Sequence, residues 1–237
     1  IIHKEALILI LIVGLIYIIQ KISFKFSFSL FLLIFPLLLM LGMLRYYTLA
    51  LLFPSIIAYL ITTKNSKVNV LFTFSYIHFI FLVFAIYIDI NFDGISLLNE
   101  ISIRQGSYYN HPGNTSFDTI YIDNSIYNLL KMFPNVLINT FIHPFFSGCK
   151  NIFCTLSSIE TGLICITILI LLSMSKVKSI FRSPENCLLL FFSFSITSLT
   201  GIIVNNGGAI ARYRVIAIFF IIVALLNSLE SHKKLSR

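Results

Sequence analysis

Charge is what this chain has least of. Asp, Glu, Lys and Arg make up 11% of its 237 residues, against roughly a quarter in soluble domains, and that scarcity excludes an ordinary soluble fold. Cysteine is nearly as sparse. Four thiols are too few for a disulfide scaffold, and Cys165 and Cys187 lie in apolar segments, where cysteine acts as a small hydrophobe. Cys149 and Cys154 differ, because they stand in a polar stretch at a spacing that permits a bond in an oxidising compartment. The five histidines show neither HxxxH nor HExxH spacing, so no zinc site is expected and no motif calls for a cofactor. Tryptophan is absent beside 24 phenylalanines, a bias from which no function is drawn. The start at Ile1 lacks the n-region, h-region and cleavage-site order of a signal peptide, and the chain reads as a fragment or a processed product.

What fills the space is apolar. With 58% hydrophobic residues and a mean hydropathy of +0.95, the chain reads as an all-α polytopic transmembrane bundle. Seven runs are long enough to count as spans: residues 6–19, 28–44, 46–62, 69–87, 161–175, 186–204 and 209–229. The first and fifth are short for a bilayer. Only Arg45, followed by Tyr46 and Tyr47, separates the second from the third, so 28–62 is either a tight helical hairpin or one kinked element. Residues 1–90 then hold four spans, 91–160 form one large polar loop carrying short interfacial helices, and 161–237 hold three spans and a short tail.

A net charge of +8 would suggest nucleic acid in a soluble protein. Here the cations are dispersed between spans, so orientation explains them and no nucleic-acid partner is expected. Lys21, Lys25, Lys64, Lys67, Lys176, Lys178, Arg182, Lys233, Lys234 and Arg237 fall on one side, and only Lys4, Arg45, Arg212 and Arg214 fall in short segments on the other. By the positive-inside rule the first side is cytoplasmic. Residues 91–160 are then external, the C-terminus is internal, and the chain sits in the plasma (inner) membrane with lipid as its first partner.

Loops as long as 91–160 are uncommon between membrane helices unless they bind or catalyse, the plainer alternative being a cap over the bundle. Inside it, Asp123 and Asn124 offer a cap for a surface helix ending at Pro134, and 136–146 forms a second apolar stretch. Residues 105–114 read as a Tyr-rich turn region around His111. His111 and His143 are potential acids or bases, or simply hydrogen-bonding loop residues. Beyond the loop, Asn206-Gly207-Gly208 precedes Arg212-Tyr213-Arg214 at the external start of the last helix. A glycine turn there exposes helix-start amides to an anion, and the arginines add charge. Positions two apart on a regular helix point about 200° from each other, so both arginines share a pocket only if the backbone is irregular. Otherwise they serve as interfacial anchors. Glu160, at the start of the fifth span, is either a general base or a helix-dipole partner. His78, inside the fourth span, calls for a local partner.

Arg104 and Gly106, then Ile142-His143-Pro144-Phe145, Glu160, and Asn206-Gly207-Gly208 with Arg212-Tyr213-Arg214 together resemble the C-terminal part of bacterial envelope-polysaccharide proteins, over residues 104–229. The families meant are O-antigen or exopolysaccharide polymerases and membrane glycosyltransferases that use polyprenyl-linked sugars. Two features depart from them. The Arg-x10-Gly spacing is not met from Arg104, since position 115 is Thr, and no acidic first external loop is present. The resemblance implies a polyprenyl-pyrophosphate-linked glycan polymerised or transferred at the outer leaflet, with other polysaccharide-synthesis membrane proteins as possible partners. It also implies Glu160 or His111 in catalysis, and Arg104, Asn206, Gly207, Gly208, Arg212 and Arg214 in binding. A flippase or transporter, with its polar groups at mid-membrane, and a non-catalytic membrane subunit are the alternatives.

Overall fold

The apolar runs fold as long helices. The computed structural model describes residues 4–65, 67–91, 96–110, 115–117, 119–123, 125–143, 152–175 and 177–235. Their helices are α1 (Lys4–Phe24), α2 (Phe28–Lys64), α3 (Val70–Asn91), α4 (Leu97–Asn110), α5 (Ile126–Phe141), α6 (Ile152–Met174), α7 (Val177–Ile180), α8 (Pro184–Ile203) and α9 (Gly207–Leu235). Among the described residues the one trace of sheet is an isolated bridge between Ser116 and Asn206. Six of these helices are long and apolar enough to cross a membrane. A helix of 21 residues, such as α1, rises about 31 Å, close to the hydrocarbon thickness. The two spans that look short in the sequence are therefore full length, α1 by extension at both ends and α6 by beginning at Ile152.

At 37 residues α2 is too long for one crossing. It breaks at Arg45, whose φ of −157° and ψ of 83° are extended rather than helical. A Cβ on Gly42 would lie 3.9 Å from a Leu49 methyl, whereas residues seven apart on an unbroken helix are separated by about 10 Å. The segment before the break lies antiparallel to α1, with Leu37 opposite Gly14 and Arg45 bonded to Glu5. The break thus gives two segments of membrane-spanning length, 28–44 and 46–64, and a total of seven among the described residues. Arg45 lies at the same end of the bundle as α4, whose Arg104 reaches Tyr46 and Tyr47; the polar loop is an island in this apolar chain, and this end is its island face.

The centre is built from α1, the second half of α2, α8 and α9, with Leu15, Leu52, Tyr59, Leu188, Phe192 and Phe220 all buried. On α3 only Phe74 is buried, while Phe72, Phe79, Val83 and Phe84 point outward, as suits a helix against lipid. His78 on α3 finds the local partners its position demands: Nδ1 donates to the Phe74 carbonyl at 2.8 Å, and Nε2 lies 3.1 Å from the Ser55 hydroxyl.

The polar loop differs from its expected form in two elements. Residues 97–110 are helical where a turn region was predicted from 105, because Gln105 anchors this stretch. Its side-chain amide donates to the carbonyls of Ile120 and Ile202 and accepts from the Ile122 amide. The second difference is α5. Asp123 adopts a positive φ of 45° in a turn, Ser125 takes the N-cap position, and Pro134 lies inside the helix rather than ending it. Proline interrupts a helix by about 3 kcal/mol, but docking holds this one together. Val136 and Thr140 pack against Gly201 of α8, where an added Cβ would fall 2.3 Å from the Val136 carbonyl oxygen. The Thr140 hydroxyl donates to the Thr197 carbonyl at 3.0 Å. Tyr127, Leu130, Phe133 and Leu137 remain outward as an apolar stripe. The helix therefore leans down the bundle beside α8 instead of lying flat on its surface.

Candidate functional site

The start of α9 decides where its two arginines go. Val204 is extended, and four bonds tie this segment to the loop: the Phe117 amide donates to the Asn205 carbonyl, the Gly207 amide to the Thr115 carbonyl, the Gly208 amide to the Thr115 hydroxyl, and that hydroxyl to the Asn206 side-chain oxygen, which also accepts from the Gly208 amide. The glycine amides that were expected to face an anion are thus already occupied. From Gly207 onward α9 is helical, so residues 212 and 214 point to opposite sides.

Arg212 is exposed and faces a cleft. Arg214 is 2% exposed and points the other way, donating to the Thr161 hydroxyl at 2.6 Å and the His143 carbonyl at 3.2 Å. Glu160 belongs to Arg214's side. It is exposed, in the third turn of α6 rather than at its start, and its charge favours the guanidinium, although no ion pair joins the two. A shared Arg212–Arg214 pocket is therefore corrected by helix geometry. His143 stacks on Phe117 with ring centres 4.0 Å apart, and burial lowers its pKa, favouring the neutral ring. His111 lies outside the described residues. Cys154 is disulfide-bonded, and Cys149 also lies outside them.

The cleft opens on the island face between α2, α4, α8 and α9. Its outer chamber, about 590 Å³, is lined by Lys4, Glu5, Arg45, Arg104 and Arg212 together with Tyr46, Tyr47 and Tyr213. A second recess beside it is lined by Ser107, Tyr108, Asn206, Gly208 and Arg212. The structure thus brings Arg104, Arg212, Asn206 and Gly208 to one region and leaves Arg214 and Glu160 behind α9.

Arginine and tyrosine interleave here. Arg45, 9% exposed, donates to Glu5 at 2.9 Å and lies over the Tyr213 ring at 4.5 Å. Arg104 donates to Glu100 and to the Tyr46 hydroxyl, both at 2.8 Å, and lies 5.6 Å from the Tyr47 ring centre. The Arg104 bond, followed by that from Tyr46, lowers the Glu100 pKa. Burial opposes the charge on Arg104, but the bonds to Glu100 and Tyr46 outweigh it and the pKa is raised. The Tyr108 hydroxyl pairs with that of Tyr213 at 2.9 Å, and burial followed by this bond raises its pKa, so the phenol stays neutral. These contacts hold two planar cations, Arg45 and Arg104, in the wall of the cleft, and a guanidinium is a group suited to phosphate oxygens.

Arg45, Tyr47, Tyr108 and Tyr213 were not singled out as site residues from the sequence. The signal available was the Arg45-Tyr46-Tyr47 run, a charge with two aromatics between apolar segments. Among the described residues no group of three or more His, Cys, Asp or Glu is placed to hold a metal ion. Comparisons with protein-family models, with curated proteins and with solved structures give no match.

Proposed function

We propose that this multi-pass membrane protein takes part in cell-envelope polysaccharide synthesis by holding a polyprenyl-pyrophosphate-linked glycan in the island-face cleft. The carrying observation is the juxtaposition of Lys4, Arg45, Arg104 and Arg212 with an apolar floor of Leu51, Ile196, Leu199 and Ile216. A cationic mouth over an apolar floor suits an amphipathic anion, and a guanidinium meets phosphate oxygens with two parallel bonds. In this reading Arg104 and Arg212 hold the pyrophosphate, Arg45 lies at its membrane end, and the glycan extends past Tyr46, Tyr108 and Asn206. The island face is external, as the distribution of basic residues implies.

Glu160 lies across α9 from this mouth, so the reading assigns the cleft to binding and presentation of the glycan for polymerisation or transfer. Arg214, a buried cation inside α9, favours the transporter alternative, because charges within membrane helices commonly mark transport paths.

The test is binding of a long polyprenyl pyrophosphate to the purified chain in phosphatidylcholine nanodiscs. Arg104→Ala and Arg212→Ala should each weaken binding about tenfold, with Lys nearly as harmful as Ala. Equal affinity of wild type and both variants would overturn the proposal. Protein-dependent movement of the lipid between leaflets, lost in Arg214→Ala, would support the transporter instead.

A further inference from the structure

Beneath the outer chamber lies a second, smaller one, and Arg45, Tyr47, Arg104 and Tyr213 line both. The inner chamber measures about 230 Å³, is partly open, and is otherwise lined chiefly by Leu51, Ile196, Leu199, Ile203 and Ile216, with Thr48 and Thr200. A dry cavity of about 150 Å³ suffices for benzene. The inner chamber therefore takes one or two branched five-carbon units and cannot enclose a long tail. Across the outer chamber and its rim, Lys4, Arg45, Arg104 and Arg212 oppose Glu5 and Glu100, four positive charges against two negative. The surplus of two equals the charge of a pyrophosphate diester.

We propose that the inner chamber binds the phosphate-proximal isoprene unit of the lipid, so that the protein reads the pyrophosphate and the first branched unit of the tail and disregards tail length. This rests on the lipid-pyrophosphate reading given above. Arg45 marks the junction: its guanidinium, on the shared wall, holds Glu5 on the outer side and lies over Tyr213, where the phosphate nearest the tail would pass.

The full chain in phosphatidylcholine nanodiscs would be titrated with inorganic pyrophosphate and with geranyl, farnesyl and long polyprenyl pyrophosphates, each corrected for partition into the bilayer. Geranyl pyrophosphate should bind at least about tenfold tighter than inorganic pyrophosphate, the gain expected from burying two methylene groups. The three prenyl ligands should then agree within about threefold. Leu199→Phe, which fills the chamber, should remove the geranyl advantage and keep inorganic pyrophosphate binding, the latter serving as its folding control. If that control fails, Leu51→Phe takes its place, and the wild-type series decides regardless. A geranyl ligand no better than inorganic pyrophosphate, or affinity that climbs tenfold from geranyl to the long ligand, overturns the inference while leaving the cleft a pyrophosphate site. Failure of all four ligands to bind removes the lipid-pyrophosphate reading itself.

Discussion

Two arginines separated by one tyrosine have opposite fates. Arg212 is exposed at the cleft, whereas Arg214 is buried against Thr161 and the His143 carbonyl. Replacing Arg214 with Ala strips donors from one buried and one half-buried acceptor and leaves a void, at a cost of about 2–4 kcal/mol. Arg212→Ala should change stability by no more than about 0.5 kcal/mol. Thermal unfolding in detergent distinguishes them, and a larger loss in Arg212→Ala would contradict the assignment. Arg45 and Glu5 form a more enclosed ion pair than Arg104 and Glu100. Removing either partner strands the other, so the double Ala variant should lose less stability than the sum of the single variants. At Glu100 the sign with pH follows from its lowered folded pKa, set against an ordinary value of 4.5. Its contribution is complete above the unfolded value and disappears as pH falls through the folded one. Wild type should therefore lose more stability than Glu100→Gln between about pH 5 and 3.

Among the elements, the apolar runs were legible in the sequence because run length alone sets a span, whereas the choice between a hairpin and one kinked element over 28–62 is open there and is decided by the extended backbone at Arg45. The course of α5 was not. Pro134 is a strong local stop signal, and it is overridden by a contact with Gly201 more than sixty residues away, which no local pattern reveals. For the same reason the end of α4, from residue 105, read as a turn: its polar sequence is held helical by Gln105 reaching the Ile202 carbonyl. The site followed suit. Arg104, Asn206, Gly208 and Arg212 were visible as polar residues at the island end, but their Tyr213 and Arg45 neighbours depend on packing between helices distant in the chain. Gly201→Ala tests the α5 contact directly. With 2.3 Å to the Val136 carbonyl, the new methyl must push α5 away at a cost of about 1–3 kcal/mol. A disulfide engineered between α5 and α8 should then form more slowly than in the parent, and an unchanged rate would count against the close approach.

For the molecule as a whole, the external placement proposed for the polar loop rests on charge alone and is open to labelling. Single cysteines at Ser107 and Asn65, at opposite ends of the bundle, should react with an impermeant maleimide from outside and inside respectively. Labelling of the Ser107 site only from the cytoplasm would invert the topology. The seams that close the island carry a consequence for synthesis. Thr115 and Phe117 bond to Gly207 and Asn205, and Tyr108 bonds to Tyr213, so partners about ninety to a hundred residues apart must meet. A chain emerging from the ribosome N-terminus first has already produced α4 and α5 before α9 exists. Only when α9 inserts can the loop be stitched down and the walls of the cleft meet. Such long-range closure is slow relative to local helix formation. A nascent chain halted before α9 is thus a set of helices without a complete cleft, and in the proposed function lipid capture must wait for α9.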